Sequence, residues 1–504
     1  MTPIIYYRSD HHPRAKKPTL CHRGFAALRT ISFIIFLSFA ASGYAQFEKH
    51  VDLSLSNPVQ KTIVRNNGDT GFVSYVETTT QHLFIKADDT MGVIFTVELP
   101  FVYTVNDFEI YENMAFFCGH ETTPTGSQLG LIGYFYLDSI CVYKRDVYIY
   151  SNITVEPGQP LVLAKNFTEL EIVENYTPRD SIAIVMIGID GNDRPVVLEA
   201  IGPYNNPTNW RYALGYKSKN EEKETFEQIS VTEHYVATGG TVFDDLADGI
   251  SFRFFIRHNN PDMFYGSTLH NDVYRYPTNS PIPPTPLPTP VYATLYPVNR
   301  QFEMTAVKGD RIATLSICDQ NAQPQMYYGI LLNVYDIPQT ISTPNINCLY
   351  SMHNPPAYNI GSTYVSDLRY DAGKDRLLAL LTVDVPGVGT KCVCGMIHYS
   401  QPLPFNFDYY TIYGLYFNKV VLTDYGVSYL SSGHSGAGSP IAEYYKYPLG
   451  TSPNCSVMFT HGCSAPEEFT SKSHNYPLDT YRGVFSFNMD SMPCLPYRIN
   501  RICY

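Results

Sequence analysis

VNDFEI (105–110), AFFCG (115–119) and GLIGYFYLDS (130–139) read as three short apolar stretches separated by turns. Outward from them the same order recurs five times. FTELEI (167–172) is followed by IAIVMIG and RPVVLEAI, and FEQISV (226–231) by YVATGG and GISFRFFI. FEMTAV (302–307) precedes IATLSIC and YYGILLNVYDI, VSDLRY (365–370) precedes LLALLTV and CVCGMIHYS, and FNKVVL (417–422) precedes GVSYLSSG and PIAEYYKY. The starts lie 62, 59, 76, 63 and 52 residues apart, and the long interval holds PTNSPIPPTPLPTP (277–290). The repeat resumes in phase after that proline-rich stretch, so we expect an extended insertion between strands there. Turns such as ENYTPRD, DGNDR and YDAGKD break the runs into strands, and no helical periodicity with caps stands out beyond residue 45.

A strand-rich unit of about sixty residues cannot bury both faces alone. Placing such sheets radially lets each cover its neighbour and leaves only short edges, which is the β-propeller solution. The chain resembles the broad β-propeller class and, more loosely, secreted propeller-like bacterial proteins with no assigned activity. That resemblance implies an all-β propeller of about seven (six to eight) blades. Residues 46–504 fit that number at one blade per repeat of about sixty-two residues. The six copies leave GFVSYV, HLFIK and GVIFTVEL (71–99) and GVFSFNMDS (483–491) over, and we expect them to combine into a closing blade that joins the N- and C-terminal strands. The alternative is two β-sandwich domains divided at the proline segment.

Composition narrows partner and compartment. The 504 residues are 44% hydrophobic and 16% charged, with a net charge of −12, which argues against nucleic acid as a partner. Residues 1–29 carry Arg8, Arg14, Lys16, Lys17, Arg23 and Arg29, then ISFIIFLSFAA (31–41), then Ser42-Gly43-Tyr44-Ala45. That is the order of a secretory signal, with cleavage expected after Ala45. Eleven apolar residues rise about 16 Å as a helix, against a bilayer core of about 30 Å. We therefore expect a signal peptide (1–45), a single domain (46–504) without a membrane span, and a secreted, periplasmic or cell-surface monomer. Eleven cysteines become ten once Cys21 is removed, and an even count suits an oxidising compartment. Asn152, Asn166, Asn175 and Asn454 lie in glycosylation triplets.

Cys118 and Cys141, Cys318 and Cys348, and Cys463 and Cys494 recur at comparable phase, 23, 30 and 31 residues apart, and are candidate disulfide staples. Cys392, Cys394 and His398 share one face of a strand, yet zinc ligands usually come from separate turns, so no metal and no cofactor are expected. Gly433-His434-Ser435-Gly436-Ala437-Gly438 lacks the last glycine of a nucleophile elbow. The acidic turns at Asp190, Asn192 and Asp193, and at Asp244, Asp245 and Asp248, lack the ligand spacing of a calcium loop. His120, His434 and His461 each follow a strand at a similar phase and form a candidate ligand-binding rim. The Tyr-rich FNFDYYTIYGLY (405–416) is a candidate contact loop. No convincing catalytic set emerges. The expectation is a secreted, non-catalytic module that binds a protein or glycan through loops on one face. The alternatives are a glycoside hydrolase or lyase with a central pocket, and a structural surface component.

Overall fold

The computed structural model describes residues 49–67 and 71–138 and, from 142 to 502, the strands with their tighter turns. Residues 1–48, the proline-rich 277–290 and several connections lie outside the described residues, and the expected signal peptide falls there. The strands belong to one compact unit, Phe47–Tyr504. All regular structure among the described residues is β, in seven antiparallel sheets, and no helix there is long and apolar enough to cross a membrane.

Six sheets are meanders of successive strands. Sheet I spans Val59–Asn66 to Val93–Leu99, sheet II Tyr103–Tyr111 to Val142–Asp146, and sheet III Val162–Tyr176 to Tyr212–Ser218. Sheet IV spans Gln228–Val231 to Leu269–Arg275, sheet V Tyr296–Val307 to Asn347–Asn354, and sheet VI Tyr364–Asp371 to Asn406–Ile412. Sheet VII has three strands of its own, from Tyr416–Leu422 to Ile441–Pro448, and takes its fourth, Lys49–Ser54, from the N-terminal end of the unit. The six sequence copies are thus sheets II to VII. The expected closing blade needs correcting: 59–99 supplies four successive strands of sheet I, with Val59–Asn66 as the first, and the C-terminal segment adds only Leu495–Pro496 at the edge.

The chain beyond Pro448 has a different task. Phe459–Gly462 adds to the last strand of sheet VI, Phe469–Lys472 to sheet IV, and Leu478–Gly483 to sheet III. Asp490–Ser491, Leu495–Pro496 and Asn500–Ile502 then add to sheets II, I and VII. Each joins antiparallel, so the C-terminal segment caps one outer edge after another in reverse chain order. Among the described residues, sheet V alone gains no such strand. Capping matters because an exposed edge offers unpaired N–H and C=O groups to other chains.

The recurring sequence start has a local cause. In sheets I, II, III, VI and VII the first strand slips register between Val59 and Lys61, Val105 and Asp107, Phe167 and Glu169, Val365 and Asp367, and Phe417 and Lys419, and the sheet III strand slips at two further places. Each of the five named slips is a bulge with an apolar residue before it and a charged one after it. The glycine that ends AFFCG and IAIVMIG faces this bulge. A Cβ on Gly119 would stand 1.9 Å from the Thr104 oxygen, and one on Gly188 2.0 Å from the Asn166 oxygen, so only glycine lets the strands approach.

Inner strands bury both faces, which explains their unbroken apolar runs. Phe117 packs between sheets I and II with Tyr75, Phe84, Phe108 and Phe135, while its neighbour Phe116 packs between II and III with Phe167, Ile184 and Met186. Ile184 and Val185 divide likewise between the II–III and III–IV layers. Phe72, Val76, Leu83 and Tyr444 fill the layer between sheets VII and I, and Tyr444 donates a 2.9 Å hydrogen bond to Ser74 Oγ. Burying one large side chain this way contributes about 1.5–3 kcal/mol. First strands touch in succession: I with II, II with III, III with IV, IV with V, V with VI, VI with VII, and VII with I.

Candidate functional site

The charged residue after each bulge, and the one two positions later, point to the same face of a first strand. Sheet II presents Asp107 and Glu109, sheet III Glu169 and Glu171, and sheet VI Asp367 and Arg369. Sheet I contributes Arg65. Its Nε donates to Glu109 Oε1 at 2.6 Å, its Nη2 to Asp107 Oδ1 at 2.7 Å and its Nη1 to the Val64 oxygen at 3.1 Å. The guanidinium also lies over the Phe108 ring, 5.6 Å from its centre. The other Asp107 oxygen accepts from Leu170 N of sheet III, and Glu169 accepts from Ile229 N of sheet IV at 2.6 Å. Carboxylates thus stitch each sheet to the next through charge-assisted bonds.

Arg369 Nε faces the Asp367 carboxylate at 3.3 Å. Its charge also acts on Glu109 and Asp107 of sheet II and Glu171 of sheet III, although sheet VI lies three or four sheets further along the chain. Glu109 and Arg369 are enclosed by protein yet keep 20% and 24% of their side-chain surface accessible. Burial pushes the Glu171 carboxyl well up, and Glu109 and Glu169 add to the shift. Glu109 is also raised by burial, against the pull of Arg65. Burial opposes the charge on both arginines, but the surrounding carboxylates dominate and raise their pKa values. Burial thus favours the neutral form of the Glu171 carboxyl, while the surrounding carboxylates favour the charged form of both arginines.

The candidate histidine rim fares differently. His120 and His434 occupy matching places, each one residue past the glycine of a second strand, in sheets II and VII with sheet I between them in contact order. His461 stands on the outermost, C-terminally derived strand of sheet VI, away from that position. The three do not share one strand position. His120 is half-buried and fixed: Nδ1 contacts Asn166 Oδ1 at 3.0 Å, Nε2 contacts Gln128 Nε2 at 3.1 Å, and Asn166 Oδ1 also accepts from Asn106 Nδ2 at 2.7 Å. Asn166, read above as a glycan acceptor, is thus engaged between sheets II and III. The side chains of Asn152, Asn175 and Asn454 lie outside the description.

Cys118 carries a free thiol, fully buried in the layer between sheets II and III, where burial pushes its pKa well up. Its expected partner Cys141 lies outside the described residues, as do Cys463 and Cys494. Cys318 pairs in register with Gly329, and Cys348 with Tyr335, on opposite edges of one central strand. The side chains of both cysteines lie outside the described residues.

Among the described residues no group of three or more His, Cys, Asp or Glu is arranged to hold a metal ion. Cys392 and Cys394 lie on a strand, Gly389–Ile397, and His398 lies outside the description. In the acidic turn, Asp190 Oδ1 accepts from Asn192 N and Arg194 N at 2.8 and 3.0 Å, and Asp193 pairs with Lys165, so these oxygens build the hairpin. The Tyr-rich stretch is a strand for most of its length, Asn406–Ile412, because both edges pair. No protein-family model matches the chain, and no curated protein does.

Proposed function

We propose that the seven sheets are blades of one closed propeller and that the mature chain is an exported, non-catalytic binding protein for a protein or glycan ligand. What supports the ring is the cyclic succession of first-strand contacts, with sheet VII returning to sheet I. Two separate sandwiches would have no reason to repeat one contact seven times. The observation that carries the binding reading is the meeting of charged side chains from sheets I, II, III and VI, partly accessible although enclosed by protein. In a propeller these strands face the axis, so the ligand site lies at the mouth of the central channel and not on a histidine rim. Export follows from residues 1–45. A panel of polysaccharides and extracellular proteins, assayed for binding and for product release, tests this reading. Binding without turnover is expected, and turnover lost in Glu171→Gln would overturn the non-catalytic part.

One observation favours a glycan-processing enzyme as a second reading. A Glu171 carboxyl pushed well up by burial, with the Glu109 carboxyl acting on its charge, resembles the acid and base or nucleophile pair of glycoside hydrolysis. Turnover whose alkaline limb is set by Glu171, and is lost in Glu171→Gln, would establish it.

A further inference from the structure

Within the charged group most hydrogen-bonding capacity is used. Arg65 is bound at three nitrogens, and Asp107 is bound at both oxygens. Two side chains differ. Arg369 engages only Nε, with Asp367, which leaves its two Nη groups without a partner among the described residues. Glu171 forms no hydrogen bond or ion pair among the described residues, although Arg369 and Glu171 act on one another's charge. We propose that Glu171 and Arg369 are the two arms of a subsite for a neutral, polyhydroxylated sugar. The proposal rests on the propeller reading above and specifies its ligand.

The mixture of signs excludes the charged alternatives. An ammonium group entering here meets Arg65 and Arg369, and a carboxylate or sulfate meets Asp107, Glu109 and Asp367. A hydroxyl is repelled by neither and both donates and accepts. Neighbouring hydroxyls on a sugar ring can accept from the Arg369 fork and donate to a carboxyl oxygen, and bonds to ionised groups are about twice as strong as neutral ones. Burial favours the neutral Glu171 carboxyl, and in that form it can also donate to a sugar oxygen. Sheets III and VI each supply one arm, so the subsite exists only when both sheets stand around the same opening.

The test uses the mature chain and three kinds of hexasaccharide in isothermal titration calorimetry. The neutral set is cellohexaose, xylohexaose and mannohexaose; the anionic probe is hexagalacturonate and the cationic probe is hexaglucosamine. At least one neutral hexamer should bind, with affinity at least tenfold weaker in Glu171→Gln and in Arg369→Gln. Thermal melts check the fold, and the near-isosteric Glu171→Gln decides if Arg369→Gln unfolds. Preference for a charged hexamer, with the same dependence on both residues, would overturn the neutral ligand class and leave the channel site standing. Neutral binding unchanged in both variants would overturn the subsite alone. No binding by any hexamer would overturn the subsite and, together with a negative protein panel, the binding reading.

Discussion

Arg65 shows how a single residue can hold two sheets. It sits 5% exposed on sheet I and neutralises Asp107 and Glu109 of sheet II. Arg65→Leu would leave both carboxylates enclosed without a counter-charge, and breaking such a pair costs about 3–5 kcal/mol. The urea midpoint should fall accordingly, whereas an exposed lysine such as Lys308 changed to Leu should move it by less than about 0.5 kcal/mol. His120 gives a pH dependence of known sign. Burial lowers its pKa below the ordinary 6.5, so the unfolded chain binds a proton more readily than the folded one. Its contribution to stability is complete above about pH 6.5 and is lost as pH falls through the lower folded value. Urea unfolding followed from about pH 7 to pH 5 should therefore show a stability loss that is smaller in His120→Gln.

At the scale of elements, the C-terminal strands are the fold's edge protection. A chain ending at Pro448 would expose the last strands of sheets I, II, III, IV and VI and the outer edge of Lys49–Ser54. It should self-associate on size-exclusion chromatography, while the full mature chain elutes as one copy. This element was not legible in the sequence, and the reason is physical. Its strands run two to six residues, too short to show a period, and their partners are set by whichever edge lies nearest. The meanders were legible because five of the seven repeat an apolar residue, a bulge and a charge on the first strand, and the second-strand motifs of sheets II, III, IV and VII end in glycine. The charged site was half visible: Asp107 and Glu109, Glu169 and Glu171, and Asp367 and Arg369 share repeat positions three and five. Polar pairs on one face of an otherwise apolar strand were the signal. The histidines drew attention because Gly-His recurs, and at Gly119 the glycine has a packing reason of its own.

At the scale of the whole molecule, the account depends on residues distant in sequence meeting across one interior. Arg369 lies 260 positions after Glu109 and on a sheet that touches V and VII through its first strand. Glu109 nevertheless acts on the charge of Arg369, as the proposed ring of strands about a shared opening requires. A double-mutant cycle on Arg369→Gln and Glu109→Gln, read by urea unfolding, measures that meeting without reference to any ligand. The propeller predicts a favourable coupling of at least about 0.5 kcal/mol, and strictly additive effects, within about 0.3 kcal/mol, would contradict it.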